Sequence, residues 1–93
     1  MTLNEIEKKA NYFEGKTLNT YTTEEVNKKI LEILNKCIKN NIKIELTEKD
    51  FIKIVNIYYE LYNTYNPKFL RDIADNSINK LDFYKIIKKL NLI

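Results

Sequence analysis

Residues 47–65 read TEKDFIKIVNIYYELYNTY, and the periodicity of this stretch decides the fold class. At about 100° per residue, Phe51, Val55, Tyr58, Tyr62 and Tyr65 fall on one face of a helix. Ile54, Ile57 and Leu61 widen that face on one side, and Ile52 and Tyr59 widen it on the other. Lys53, Asn56, Glu60, Asn63 and Thr64 cluster opposite. The apolar arc spans roughly 200°, about twice the stripe of an ordinary surface helix. Such a helix has to be covered from more than one side, which places it at the centre of the domain. Thr47-Glu48-Lys49-Asp50 starts it as a capping box, with Asp where Glu or Gln is usual. Asn66-Pro67 stops it, because the residue before a proline is driven out of α space.

Upstream, Ile42-Lys43-Ile44-Glu45-Leu46 alternates strictly, the period of a half-buried strand. The only strand partner in view is the β-leaning stretch 17–21. The segment is therefore expected as an extended linker, or at most a short bridge, whose Ile42, Ile44 and Leu46 plug the end of the core. Before it, Thr22-Thr23-Glu24-Glu25 offers another capping box. Val26, Ile30, Ile33, Leu34, Cys37 and Ile38 then mark an amphipathic helix to about Lys39, with Asn40-Asn41 as terminators. Glu25 with Lys29 and Glu32 with Lys36 form i,i+4 pairs on its solvated face. The first helix opens on the capping box Thr2-Leu3-Asn4-Glu5 and turns Leu3, Ile6, Ala10 and Phe13 inward. It should end near Glu14, ahead of Gly15, the only glycine.

Downstream, Asn66 caps and Pro67 opens a helix to about Asp75, with Phe69, Leu70, Ile73 and Ala74 inward. After a polar break at Asp75-Asn76-Ser77, a last helix runs from about Lys80, capped by Asn79, to Leu90. Its apolar residues are Leu81, Phe83, Tyr84, Ile86, Ile87 and Leu90. The expectation is an all-α protein: a compact bundle of four to five helices around a central aromatic-rich helix at about 48–65. Residues 1–93 should form a single helical domain.

Composition narrows the function classes. Ile, Asn, Lys and Tyr are heavily used, whereas Gly, Pro, Cys and Met each occur once and His and Trp are absent. That bias fits an AT-rich coding sequence, as in a low-GC bacterium or its phage, so part of the Asn and Lys excess needs no functional cause. One cysteine excludes an intrachain disulfide, and Cys37 on an apolar helix face reads as a small buried hydrophobe. There is no signal-like segment and no apolar run long enough to span a membrane, so a cytoplasmic protein is expected. With no His and a single Cys and Gly, the usual catalytic triads, zinc sites and phosphate-cradling glycine loops have no residues to build on. The carboxylates fall at caps or beside lysines. The chain is read as a non-enzyme with no catalytic residue, cofactor or metal.

Asp75 to Phe83 has the outline of the end of an EF-hand loop, but counting back puts Arg71 at the first ligand position, where a cation defeats calcium.

Two binding surfaces remain. Four of the seven tyrosines crowd into residues 58–65, and aromatic side chains are favoured at interface hot spots. Ile52, Tyr59, Tyr62 and Tyr65 are thus the candidate contacts for a protein partner, or for a second copy of the chain in a homodimer. The other surface is electrostatic. Residues 1–65 hold ten basic and ten acidic side chains, and residues 66–93 hold six against three, so the whole net charge of +3 lies there. The helix pair 67–90 has helix-turn-helix proportions, which makes Lys80, Lys85, Lys88 and Lys89 candidates for nucleic-acid contact. Against that reading, the turn has no glycine and Asp82 sits near where phosphates would be met.

The segment EILNKCIKNNIKIELTEKDF, followed by a long aromatic helix, resembles in layout the bacteriocin immunity proteins of low-GC bacteria. The likeness covers about half the chain and carries over no functional residue. It implies a small cytosolic helical bundle that acts by binding a protein. Small phage-encoded inhibitors and adaptors are similar in size and composition. A protein-binding inhibitor or adaptor is the leading expectation, with a nucleic-acid-binding regulator as the alternative.

Overall fold

The computed structural model of the protein describes residues 1–11 and 23–91. Five helices follow in order: α1 (Leu3–Asn11), α2 (Thr23–Lys39), α3 (Glu48–Tyr62), α4 (Pro67–Asp75) and α5 (Lys80–Lys89). The all-α expectation holds. α3 packs between α2 and α5, α1 lies on α2, and α4 contacts both α2 and α5. The buried side chains form one cluster, in which Ile6, Leu34, Ile44, Phe51, Ile54, Ile73, Phe83 and Ile87 are wholly inaccessible. At its middle Phe51 of α3 stacks on Phe83 of α5, with ring centroids 4.4 Å apart and planes 12° off parallel.

The helix starts follow the capping chemistry. Thr2 and Glu5 exchange backbone and side-chain bonds at 3.3 Å, and Thr47 and Asp50 do so at 3.0 and 3.1 Å. Asn66 caps α4 through Oδ1, which accepts from Phe69 N–H at 3.1 Å. Asn79 departs from expectation. Its side chain makes no capping bond to α5, and Nδ2 donates instead to Leu46 O at 2.7 Å. Glu32 pairs with Lys29 at 3.0 Å, an i,i+3 contact in place of the expected one with Lys36. The expected contributions of Phe13, Gly15, 17–21 and Thr22 lie outside the described residues.

The helix ends rest on asparagine. Asn41, Asn63 and Asn91 are the positive-φ residues other than glycine among the described residues, at φ 57°, 53° and 56°. In a chain with so little glycine, Asn is the next residue able to take the left-handed position that closes a helix. After α2, Ile42 N–H reaches Cys37 O and Asn41 N–H reaches Ile38 O, the paired bonds of a Schellman motif. After α3, Asn63 N–H bonds Tyr59 O at 2.7 Å. The helix expected to reach Tyr65 therefore ends at Tyr62, before the proline can act. Tyr65 leaves the face of Phe51 and Tyr58 and folds back against Tyr59, ring centroids 4.8 Å apart.

Residues 42–46 are extended, and among the described residues they bridge to the start of the chain and to the α4–α5 turn; the expected pairing with 17–21 lies outside the described residues. Single parallel bridges join Thr2 to Glu45 and Ile44 to Ser77. Ile44 N–H donates to Asn76 O, Glu45 N–H to Met1 O, and Asn76 Nδ2 to Ile42 O. The segment thus ties the start of α1 to the α4–α5 turn. Ile44 and Leu46 are buried as the alternation requires, but Ile42 is 43 % exposed and does not plug the core.

Candidate functional site

On α3 the buried residues Phe51, Ile54, Val55 and Ile57 occupy an arc of about 160° at 100° per residue. Ile52 and Tyr59 lie some 40–60° beyond Val55 on the same scale, past the edge that α2 and α5 cover. Ile52 is 47 % exposed, Tyr59 42 %, Tyr62 51 % and Tyr65 38 %. All four candidate contacts are accessible, but they do not form one surface.

Ile52 and Tyr65 belong to a groove of about 330 Å³ between α3 and α5. Val55 contributes to its lining from α3, Ile86 from α5 and Leu90 from just past its end, while Glu48, Asn56 and Lys89 supply the polar groups. Tyr59 extends this patch through its ring contact with Tyr65. The patch exists because α3 ends early. A longer helix would have carried Tyr65 to the face of Phe51, leaving Tyr59 without its neighbour.

Tyr62 faces elsewhere. Its ring lies 4.7 Å from that of Tyr58, which in turn tilts against Phe69 at 5.6 Å. These three rings, with Leu31 and Asn35 of α2 and Asn66, border a second depression of about 270 Å³ that shares no residue with the first. The Tyr58 hydroxyl accepts from Asn66 Nδ2 at 3.2 Å, so the residue that caps α4 also holds this tyrosine. Tyr62 is thus separated from the other three candidates.

The basic candidates also divide. Lys80 pairs with Asp75 at 3.3 Å, and the same carboxylate accepts the Tyr84 hydroxyl at 2.8 Å. The Tyr84 bond, helped by Lys80, holds the Asp75 carboxyl below its ordinary 3.8. The same bond, with burial, holds the Tyr84 hydroxyl above 10.0. Lys80 is therefore part of a local polar clasp. Lys85, Lys88 and Lys89 are exposed and enter none of the ion pairs seen among the described residues. They line a further depression with Ile86, Glu48 and Asp82, so two carboxylates stand among them.

Leu81 and Ile78 make a third exposed apolar group. Leu81 is among the apolar residues of α5, yet it is 77 % exposed, and Ile78 is 69 % exposed. The spacing held the signal: Leu81 lies roughly 160° around the helix from the buried Phe83 at 100° per residue. Among the described residues no group of His, Cys, Asp and Glu could hold a metal ion. None of their helices is long and apolar enough to cross a membrane. Cys37 is buried, with Sγ 3.8 Å from the sulfur of Met1. Comparisons with known protein families, with curated proteins and with solved structures return no match.

Proposed function

We propose that the protein is a non-enzymatic cytoplasmic binding protein that acts by docking a protein partner on the Ile52–Tyr59–Tyr65 flank of α3. One observation carries the reading. Three large apolar or aromatic side chains stay between 38 and 47 % exposed on or beside the helix that supplies the centre of the core; Ile52 and Tyr65 line an apolar groove, and Tyr59 adjoins it through its ring contact with Tyr65. Burying such side chains against a partner is favourable by about 25 cal/mol per Å² of apolar surface before the costs of association. Immunity against a bacteriocin and inhibition of a host enzyme by a phage protein are settings such a molecule suits. A second copy of the chain is the competing occupant of the same face.

Affinity capture from the source cell tests this, using wild type beside the Tyr59→Ala/Tyr65→Ala double variant. The expected outcome is a discrete protein retained by wild type and lost from the variant, with the melting temperature changed by no more than about 4–8 °C, the shift produced by ~1 kcal/mol in a domain of this size. Equal retention by both proteins contradicts the proposal, and collapse of the variant's melting temperature would make these tyrosines core.

The nucleic-acid reading has weaker support, since Lys80 is engaged with Asp75 and Glu48 and Asp82 stand among the other lysines. It predicts salt-dependent retention on DNA that the triple change of Lys85, Lys88 and Lys89 to Glu removes.

A further inference from the structure

The groove between α3 and α5 and the lysines of α5 form one continuous strip. Ile86, Lys89 and Glu48 belong both to the apolar groove that holds Ile52 and Tyr65 and to the depression that holds Lys85 and Lys88. Among the described residues the ion pairs engage Lys28, Lys29, Lys53, Lys68 and Lys80. Lys85, Lys88 and Lys89 of α5 lie within five residues and enter none of these pairs, although Glu48 and Asp82 line the same depression. Across the groove the charged residue of α3 in the lining is Glu48, and Lys49 lies with Ile52 in a separate hollow. An apolar trough with exposed ammonium groups along its α5 rim is complementary to apolar side chains flanked on one side by carboxylates. It is a poor match to a wholly apolar surface, which would strip water from the lysines and return nothing.

We infer that the occupant of this groove is an acidic amphipathic segment of a partner protein, its apolar side chains set between Ile52, Tyr65 and Leu90 and its carboxylates over Lys85, Lys88 and Lys89. This rests on the protein-binding reading above and deepens it by stating the partner's chemistry. A helix offering apolar anchors at i, i+3 or i+4 and i+7 is the ordinary way to fill such a trough. Acidic residues beside the anchors would speed encounter as well as fix register, so binding should weaken with salt.

The test uses a displayed library of random sixteen-residue peptides, selected on the folded wild-type protein. Expected are peptides combining Leu, Ile or Phe anchors with several Asp or Glu, whose binding shifts the amide signals of Ile52 and Ile86. Changing Lys85, Lys88 and Lys89 together to Glu should weaken them by roughly tenfold or more, the scale of losing close charge pairs. Changing all three to Arg should spare them. Lys36→Glu/Lys39→Glu, which alters charge on α2, should have little effect, and circular dichroism establishes that each variant is folded. Neutral or basic peptides in the same groove would overturn the acidic-segment inference and leave the binding face standing. Peptides confined to the Tyr62 depression, or none at all, would remove both. Self-association dependent on Ile52, or lysine-dependent binding of duplex DNA or of phosphatidylserine vesicles in place of the peptides, would also overturn it.

Discussion

Phe51 and Tyr59 are eight residues apart on one helix and do opposite work. Phe51 is wholly inaccessible and stacks on Phe83, so Phe51→Ala should cost about 3–5 kcal/mol, as aromatic truncations in cores do. Tyr59 and Tyr65 touch each other at the surface, and losing both rings should cost about 1 kcal/mol, the worth of such a pair. Urea denaturation of the two variants reads the contrast directly. Tyr84 and Asp75 supply a pH-dependent counterpart. The Asp75 carboxyl is held below its ordinary 3.8, first by the Tyr84 hydroxyl and then by Lys80. A depressed carboxyl stabilises the fold above its unfolded value, and the gain disappears as pH falls through the lower folded one. Tyr84, held above 10.0 by Asp75 and by burial, stabilises the fold below 10.0, and that gain disappears as pH rises through the higher folded value. Tyr84→Phe should therefore remove this pair's contribution to both the acid and the alkaline edges of the stability profile. The effect should be small because Asp75 is exposed and its charge screened. Denaturation midpoints of wild type and variant across the pH range check the sign.

Among the elements, the ends of α3 and the segment 42–46 set where the candidate surface lies. Asn63 holds φ 53°, which a β-branched side chain tolerates badly, so Asn63→Val should cost about 1–2 kcal/mol. Asn63→Gly should cost nothing and could raise the melting temperature. If Asn63→Val melts like wild type, the left-handed stop does not position Tyr65. The extended segment behaves as a strap between the start of α1 and the α4–α5 turn. Ile44 at its middle is wholly buried, and Ile44→Ala should cost about 2–5 kcal/mol, measured by urea denaturation. Helix starts were legible in the sequence because Thr-x-x-Glu, Thr-x-x-Asp and Asn-Pro are local capping chemistry, seen intact at Thr2, Thr47 and Asn66. The early end of α3 was not, because Asn63 looks like any polar residue of the solvent face until its φ is known. The partners of 42–46 were hidden for another reason: Thr2 and Ser77 belong to no strand-like stretch, and each bridge is a single residue pair formed by tertiary packing.

At the scale of the whole molecule, the five helices of the described residues leave the arc of α3 partly uncovered. The radius of gyration is 13.1 Å and the extents are 39 × 27 × 21 Å. The exposed flank could be anticipated from the width of the apolar arc against the little apolar surface left to cover it, and Ile52 and Tyr59 lie there. Tyr62 lies apart from them because the helical period itself sets it roughly 60–80° from Tyr59 and Ile52, beside Tyr58. The groove itself could not be read from spacing, since Ile86 and Leu90 meet Ile52 and Val55 only once α3 and α5 cross at Phe51 and Phe83. The Ile52–Tyr59–Tyr65 flank as a protein-binding face is the central claim. Its most direct test is site-specific photo-crosslinking in the source cell, with a photoreactive phenylalanine analogue replacing Tyr59 in one variant and the exposed Lys36 of α2 in another. One discrete protein adduct is expected from position 59 and none from position 36; no adduct at 59, or the same adducts at both positions, would contradict a binding face on this flank.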